Sequence, residues 1–150
     1  TLGDRYISAV FAANSISEIV NLRKQMVADF TQRVRKCRTN ASYSKPIQSC
    51  IDYIDTHLTE ALSIDQLAAR LGYAKYYLSN RFKKETGITI NNYIKFARLE
   101  QAKLQLETTT RRIDDIAESL GFSSRTVFDK AFKQNVGQTP AQYRELHLQL

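Results

Sequence analysis

The stretch LGYAKYYLSNRFKKETG, residues 71–87, is followed about fifty residues later by a near copy, LGFSSRTVFDKAFKQNVG, residues 120–137. The offset between the copies changes from 49 to 50 residues just after the first glycine of the second copy. The matching residues are Ala68, Leu71, Gly72 and Tyr73 with Ala117, Leu120, Gly121 and Phe122, then Leu78, Phe82, Lys83, Gly87 and Thr89 with Phe128, Phe132, Lys133, Gly137 and Thr139. Each copy has the outline of a helix-turn-helix unit, in which a glycine permits the sharp turn between two helices.

The remainder of the chain has the pattern of a helical protein. Its 150 residues include only 5 Gly and 2 Pro, and we find no run of alternating β-branched residues that would indicate a strand. Capping-box pairs precede two of the apolar-periodic segments, at Ser15 with Glu18 and at Ser63 with Gln66. The predicted helices span residues 15–38, 46–57, 63–72, 75–86, 89–107, 113–119 and 124–135, with a last one starting at Pro140. We therefore predict an all-α fold.

The repeat divides the chain into four predicted segments. These are an N-terminal helical segment (1–45), a first helix-turn-helix subdomain (46–88), a linker helix (89–107) and a second helix-turn-helix subdomain (108–150). The segment NASYSK, residues 40–45, is the predicted linker. The chain begins with Thr rather than Met, so we expect it to be a fragment of a longer protein. The apolar face of helix 15–38 requires a partner, which is a missing domain, the C-terminal part of this chain, or a second copy.

Net charge alone would place a nucleic-acid-binding surface in the wrong part of the chain. The formal net charge is +7, of which residues 1–45 carry +5 (8 Lys or Arg against 3 Asp or Glu) and residues 46–150 only +2 (14 against 12). Local charge is more informative, because residues 75–84 contain four cations and no acid. Basic residues at the end of helix 15–38 are expected to form a solvated face, with phosphate contact as the alternative.

Other classes of site receive little support. Cys37 and Cys50 are the only cysteines, and we expect two reduced thiols in a cytoplasmic protein. His57 and His147 are not spaced with them as zinc ligands, so no metal or other cofactor is expected. No secretory signal or membrane span is recognisable, and no membrane partner is expected.

The second helix of each copy places polar residues opposite its apolar side. In the first copy Leu78 and Phe82 define the buried side, and a helical wheel places Tyr76, Asn80 and Lys83 opposite them. In the second copy Phe128 and Phe132 are opposite Thr126, Lys130 and Lys133. Asn pairs with adenine, Lys with guanine, and Thr contacts the thymine methyl group, while neighbouring cations bind phosphates. An ordinary solvated face is the alternative for each copy, and for Tyr76 the alternative is packing against the turn.

The spacing of the copies agrees with DNA geometry. A linker helix of about nineteen residues is roughly 28 Å long, and successive major-groove segments on one face of a duplex lie about 34 Å apart. Two recognition helices joined by such a strut would read a bipartite site.

The two copies and the helix between them resemble the C-terminal DNA-binding domain of AraC/XylS-type bacterial transcription regulators. The resemblance covers about residues 46–145 and is most specific in the ending GF…F…F…G…TP..YR. It implies two helix-turn-helix subdomains that bind consecutive major grooves of double-stranded promoter DNA. Members of the family usually carry a separate sensor or dimerisation domain and often activate transcription. Residues 1–45 lie outside the match and are expected to be the end of such an upstream sensor or dimerisation region. RNA polymerase is an expected partner. A second copy of the chain, bound through the N-terminal helix or a missing upstream domain, is the alternative to a chain that binds DNA as a monomer.

The resemblance also assigns residues to DNA. Base contacts fall on Tyr76, Ser79 and Asn80 in the first recognition helix and on Thr126, Val127 and Lys130 in the second. The helical wheel independently selects all of these except Ser79 and Val127. Contacts to the DNA backbone are predicted for Lys75, Lys83, Lys84, Arg125 and Lys133.

Two rival functions have less support. An enzyme is not indicated, because the sequence contains no Gly-rich phosphate loop and no Ser/His/Asp or Cys/His arrangement, and we predict no catalytic residue. The second rival is a helical protein-interaction module without DNA binding. Removing charge at Lys75, Lys83 and Lys130 would leave such a module active, whereas it would weaken DNA binding and reduce its salt dependence.

Overall fold

A computed structural model of the chain describes residues 2–39 and 42–148, and within these ranges it contains nine α-helices and no strand. The helices are α1 (Leu2–Ala12), α2 (Ile16–Thr39), α3 (Lys45–Thr56), α4 (Ile64–Leu71), α5 (Lys75–Thr86), α6 (Ile90–Thr108), α7 (Ile113–Ser119), α8 (Arg125–Val136) and α9 (Pro140–His147). The all-α prediction is confirmed. The bounds of α2 to α8 and the start of α9 lie within about one residue of the predicted positions. Helix α1 was not predicted. None of the described helices is long and apolar enough to cross a membrane.

The chain divides into two compact units. The first comprises Thr1–Thr56 and Leu62–Phe96, and the second His57–Ala61 and Ala97–Leu150. Helix α6 contributes its first turns to the first unit and its remainder to the second. The assignment of residues 1–45 to a separate upstream region stays a prediction, and in the structure α2 packs on α3 within the first unit.

The first unit is built around the apolar faces of α2 to α6. The phenyl rings of Phe30 in α2 and Phe96 in α6 stack with their centroids 5.2 Å apart. Phe82 of α5 meets the ring of Tyr93 edge-on at 5.6 Å, and the Tyr93 hydroxyl donates to Asp55 at 2.9 Å. Phe82 and Tyr93 are fully buried, and burying each ring stabilises the fold by roughly 1.5–3 kcal/mol. This core fixes the back of α5 and leaves its other side to solvent.

The junction between α2 and α3 is not a free linker. Residues 40 and 41 of the predicted linker lie outside the described residues, but Ser44 is bound firmly to α5. Its backbone N–H donates to Glu85 Oε2 at 3.0 Å, and its hydroxyl donates to Glu85 Oε1 at 2.7 Å. Sequence reasoning missed this contact because 41 residues separate the two partners.

Helices α1 and α2 form an antiparallel pair, which we call the α1–α2 hairpin. The Tyr6 hydroxyl and the Arg5 guanidinium both donate to the carboxylate of Asp29. These hydrogen bonds, with that from Tyr6 contributing most, hold the pKa of Asp29 below its usual range. Contacts with α2 thus stabilise α1.

The predicted capping box at the start of α2 is only half formed. The backbone N–H of Glu18 donates to the Ser15 hydroxyl at 3.2 Å, as expected. The Glu18 carboxylate accepts from the backbone N–H of Asn14 at 2.7 Å rather than from Ser15. The contact therefore shifts by one residue toward the N-terminus.

The apolar face of α2 has two different environments. Its C-terminal half is covered, with Phe30, Val34 and Cys37 all buried in the first unit. Its N-terminal half is uncovered together with the outer face of α1. The exposed fractions are Ile7 58%, Val10 45%, Phe11 88%, Ile16 82%, Ile19 43% and Val20 39%, and we call these six residues the hairpin patch.

Both cysteines are buried free thiols in the structure. Burial raises the pKa of the Cys50 thiol to about 12 and also raises the pKa of Cys37, whose sulfur lies 3.6 Å from the Tyr43 hydroxyl. They are small apolar core residues rather than a reactive pair.

The second unit has its own core, formed by α6 to α9. Its buried members are Leu99, Ala102, Leu106, Ile116, Ala117, Leu120, Phe128, Phe132 and Tyr143. The Tyr143 hydroxyl donates to the Glu107 carboxylate. Burial, with this hydrogen bond, raises the pKa of Tyr143. The aromatic rings of Phe132 and Tyr143 meet edge-on at 5.4 Å, which ties α8 to α9.

Candidate DNA-binding surface

The two predicted helix-turn-helix units are present as α4–α5 and α7–α8, and their turns are closed in the same way. Gly72 and Gly121 adopt left-handed conformations, with φ of 74° and 75°. In each turn the residue after the glycine donates its backbone N–H to an alanine carbonyl. The acceptors are Ala68 at 2.9 Å and Ala117 at 3.1 Å. The single extra residue of the second copy, Ser123, lies in the turn after this hydrogen bond.

The second helix of each unit buries the residues that the wheel predicted. Leu78 and Phe82 of α5 and Phe128 and Phe132 of α8 have no exposed surface. Each helix then ends at a left-handed glycine, Gly87 or Gly137, whose N–H donates to a lysine carbonyl four residues earlier. The opposite side of each helix is consequently fixed toward solvent.

On α5 two of the three predicted base-contacting residues, Tyr76 and Asn80, line an open groove. The groove is lined by Tyr76, Tyr77, Asn80, Arg81, Lys84 and Glu85. Tyr76 is 81% exposed, so it does not pack against the turn; that contact is made by Tyr77, whose ring lies 5.8 Å from the ring of Tyr73. The other two predicted residues of this helix, Ser79 and Lys83, are half-buried at its flank.

On α8 most of the predicted residues are exposed. Thr126, Lys130 and Lys133 are exposed, and Val127 is 47% exposed. Most of the predicted residues on each recognition helix are therefore exposed to solvent. Their individual roles toward DNA stay predictions.

The first residue of each recognition helix is already paired within its own unit. Lys75 lies 2.9 Å from Asp65 of α4, and Arg125 lies 3.3 Å from Asp114 of α7 and 2.7 Å from Asp129. A cation at a helix N-terminus is disfavoured by the helix dipole, and the aspartates offset part of this effect. The location of both cations suits an external anion at the start of each recognition helix.

Sequence reasoning missed a row of polar contacts on the flank of α5. The guanidinium of Arg81 donates from Nε to Glu85 Oε1 at 2.7 Å and from Nη1 to the Tyr77 hydroxyl at 2.8 Å. The spacing of these three residues, four apart on one helix, was the available signal. Burial raises the pKa of Glu85, but the hydrogen bonds from Ser44 and Arg81 outweigh it and the pKa lies below its usual value.

A second missed residue fixes the second unit. Arg98 of α6 donates from Nε to the carbonyl of Leu58 at 3.0 Å and from Nη2 to that of Glu60 at 2.6 Å. Burial lowers the pKa of Arg98. Its guanidinium fills the space where a side chain of Gly121 would lie, which places Arg98 directly behind the turn of the second helix-turn-helix unit.

The described residues show no group of three or more His, Cys, Asp or Glu side chains that could hold a metal ion. His147 instead stacks on the Tyr143 ring at 4.1 Å.

Comparison with known proteins identifies the family. The family model of the helix-turn-helix domain matches residues 59–146. This range begins before α4 and stops one residue short of the end of α9. Regulatory protein SoxS of Escherichia coli K12 is 41% identical over 103 residues, which are 69% of this chain and 96% of SoxS. The Right origin-binding protein of the same organism is 41% identical over 98 residues, which are 65% of this chain and 34% of that protein.

Solved structures agree with this assignment. The C-terminal domain of AraT, a response regulator from Geobacillus stearothermophilus, matches with a TM-score of 0.71 and 30% identity, covering 73% of this chain and 92% of that one. The DNA-binding domain of the transcriptional factor AdpA, solved in complex with a target DNA, matches with a TM-score of 0.65 and 29% identity, covering 69% and 93%. The chain belongs to the AraC/XylS-type family of sequence-specific DNA-binding transcription regulators.

Proposed function

We propose that the protein regulates transcription by placing α5 and α8 in consecutive major grooves of one promoter duplex. The observation that carries this proposal is the double helix-turn-helix architecture, in which both recognition helices have a fully buried apolar side and an exposed hydrogen-bonding side. The AdpA domain, solved with its target DNA, supports the same use of the fold here. Catalysis forms no part of the proposal.

The chemistry of the exposed faces assigns roles to individual residues. Asn80 pairs with adenine through its amide, and Lys130 donates to guanine. Thr126 and Val127 offer methyl groups to thymine, while Tyr76 and Ser79 contact base edges beside Asn80. Family members often carry Arg or Gln at such positions, and several residues here are small, so the shape of the DNA contributes to specificity.

Phosphate contacts come from the cations that flank these faces. They are Lys75, Lys83, Lys84, Arg125 and Lys133. Neutralising any one of them should lower the affinity for all DNA sequences alike, because phosphates carry no sequence information. The acidic partners of Lys75 and Arg125 hold these two side chains near the helix N-termini, where the DNA backbone would pass.

The test compares Asn80→Ala with a matched control, Asn21→Ala, which removes an exposed amide from α2. Both variants are titrated, by fluorescence anisotropy, against a duplex enriched from a random library and against all its single-base variants. We expect Asn80→Ala to lose preference at one base pair, by about 1–3 kcal/mol, while Asn21→Ala keeps the ranking of the intact protein. An unchanged ranking for Asn80→Ala would remove its reading role. If neutralising Lys75, Lys83 and Lys130 left the affinity for DNA unchanged, the protein-interaction module would be favoured instead.

A second copy of the chain is the partner we propose for the hairpin patch. Its six side chains recur at helical spacing on α1 and on α2, and all are 39% exposed or more. A standard interface buries about 800 Å² per partner, and six large apolar side chains supply a large share of that area. A patch of this kind pairs with itself about a two-fold axis without any further surface.

Sedimentation velocity tests this assembly. The intact chain should sediment at twice its mass of 17.2 kDa, and Phe11→Ser should sediment as a monomer. The control is Tyr76→Ser, which removes an equally exposed aromatic side chain outside the patch and should leave the dimer intact. A monomeric intact chain at tens of micromolar would contradict the proposal. Contact with RNA polymerase and a cytoplasmic location stay predictions.

A further inference from the structure

Arg81 is a cation on α5 that the internal repeat does not duplicate. Fifty residues later, Val127, Ala131 and Asn135 stand at the positions of Tyr77, Arg81 and Glu85. The stripe of polar contacts on the flank of α5 therefore belongs to the first recognition helix alone. A feature needed only to build a helix-turn-helix unit would be expected in both copies.

The Arg81 side chain is oriented on two sides. Its Nε donates to Glu85 Oε1 and its Nη1 to the Tyr77 hydroxyl. Glu85 is held in turn by the backbone N–H and hydroxyl of Ser44. A guanidinium fixed in this way has already lost much of its rotamer entropy before it meets a ligand.

The same guanidinium keeps bonding capacity toward solvent. No described residue accepts from its remaining nitrogen, Nη2, and the Arg81 side chain is 42% exposed. It lines the groove that also contains Tyr76, Asn80 and Lys84, one helical step to the side of the base-reading residues. A recognition helix in a major groove has base edges in front of it and the phosphate backbones at its flanks.

We infer that Arg81 binds a backbone phosphate at the wall of the first major groove, with Tyr77 and Glu85 as the residues that position it. This inference rests on the proposed function. It adds a backbone contact to the half-site read by α5 that the half-site read by α8 lacks. Arginine suits this role because its planar fork matches the geometry of phosphate oxygens while its other donors stay engaged.

The competing explanation is that Arg81 only neutralises Glu85 and so supports the junction at Ser44. That role predicts a loss of folding stability on substitution and no change in how DNA binding responds to salt. A phosphate contact predicts a change in salt response, because each neutralised phosphate contributes about 0.9 to the slope of log affinity against log salt concentration. The salt response therefore separates the two roles.

The experiment compares the intact chain, Arg81→Gln and the control Lys24→Gln, which removes one exposed cation from α2. Each is titrated at several salt concentrations against the library-selected duplex, or against a mixed-sequence 30-base-pair duplex if the library yields no motif. For Arg81→Gln we expect a shallower salt dependence, with the magnitude of the slope smaller by about 0.9. Affinity should be about fivefold lower near 0.15 M salt, and the ranking of base variants should be preserved. Lys24→Gln should keep the intact slope.

A second experiment changes the DNA rather than the protein, so its result does not depend on the folding stability of Arg81→Gln alone. Duplexes with a single methylphosphonate at each backbone position are titrated with the intact chain, Tyr77→Phe and Arg81→Gln. One position should lower affinity for the intact chain and have no further effect on Arg81→Gln. Tyr77→Phe, which changes no charge, should weaken binding only while Arg81 and that phosphate are both present.

The outcomes separate the inference from the proposed function. Equal slopes for the intact chain and Arg81→Gln, or no methylphosphonate position whose effect disappears in Arg81→Gln, would overturn the role of Arg81 while leaving DNA reading in place. An intact chain that shows no preference among duplexes would overturn the proposed function, and the mixed-sequence duplex would still decide the phosphate contact.

Discussion

Gly72 and Gly121 are equivalent residues with different surroundings. Both have φ near +75°, which costs a residue with a Cβ roughly 1–2 kcal/mol. A Cβ on Gly72 would meet nothing within 4 Å, whereas one on Gly121 would lie 2.8 Å from Arg98 Nη2. Arg98 cannot move aside freely, because its guanidinium holds the carbonyls of Leu58 and Glu60.

We therefore predict that Gly121→Ala destabilises the protein more than Gly72→Ala does. Gly72→Ala should lower the free energy of unfolding by about 1–2 kcal/mol, and Gly121→Ala by about 1 kcal/mol more as a hydrogen bond of Arg98 is lost. Urea unfolding followed by circular dichroism measures both. In an Arg98→Ala background the two substitutions should cost the same, and a persisting difference would contradict this explanation.

Glu85 predicts a specific dependence of stability on pH. Its pKa is lower in the folded protein than its ordinary value of 4.5. A carboxyl group with a lowered folded pKa contributes stability above the unfolded pKa and loses it as the pH falls through the folded value. As the pH falls below 4.5 and through the lower pKa of the folded protein, the contribution of the contacts from Ser44 and Arg81 should therefore be lost.

Glu85→Gln tests this dependence. We expect it to lower the free energy of unfolding by about 1–3 kcal/mol at pH 7 and to flatten the decline of stability between pH 5 and pH 3. Urea unfolding across that range is the measurement. Glu118→Gln, which removes an exposed carboxyl group of α7, serves as the control with an unchanged decline. A Glu85→Gln curve parallel to that of the intact chain would show that the group carries no such linkage.

At the residue scale, the sequence was informative where the pattern is local. The buried side of each recognition helix and the glycines at both turns followed from helical periodicity and steric rules. The contacts of Ser44 with Glu85 and of Arg98 with Leu58 join residues about forty positions apart. No local pattern encodes such pairs, so only the structure revealed them.

At the scale of helices, the two recognition helices differ in their N-terminal caps. Ser124 precedes α8, and its hydroxyl accepts from the backbone N–H of Val127 at 3.2 Å. Ala74 holds the same position before α5 and has an extended backbone but no side-chain cap. Helix α5 thus begins with one more unsatisfied backbone donor than α8 does.

We predict that Ala74→Ser stabilises the protein and that Ser124→Ala destabilises it, each by about 1 kcal/mol. The backbone at Ala74 (φ −68°, ψ 136°) already suits a capping residue. Differential scanning calorimetry should show melting temperatures that move in opposite directions. Ala74→Gly controls for the backbone alone and should not raise the melting temperature. A Ser at position 74 without effect would mean that the end of α5 is satisfied in another way.

The elements that follow each recognition helix show how far the repeat extends. Thr89 and Thr139 each accept a backbone N–H three residues later, at 3.2 Å. Tyr93 and Tyr143, fifty residues apart, each donate a hydroxyl hydrogen bond to a carboxylate. Both matches are visible in the sequence at an offset of 50. The shared hydrogen bond of the tyrosines was not, because their carboxylate partners, Asp55 and Glu107, are not 50 residues apart. Helix α1 was not predicted, and in the structure Arg5 and Tyr6 join it to Asp29 of α2.

For the whole molecule, the fold class and family could be predicted from sequence because the repeat is long and its signals agree with one another. The environment of the N-terminal helix could not be predicted, because the sequence pattern shows that the helix has an apolar face but not what packs against it. In the structure Phe30, Val34 and Cys37 are buried, whereas the hairpin patch is exposed to solvent. Segment 1–45 thus contributes both to the first unit and, in our proposal, to assembly.

The central claim is that one chain reads two blocks of DNA, one with each recognition helix. Selection of bound duplexes from a random library, at near-physiological salt, tests this claim most directly. We predict a motif of two short blocks whose centres lie about one helical turn, 10–10.5 base pairs, apart, with Asn80→Ala and Lys130→Ala each degrading a different block. A single block, or enrichment that disappears when salt is raised and follows no sequence, would contradict the account.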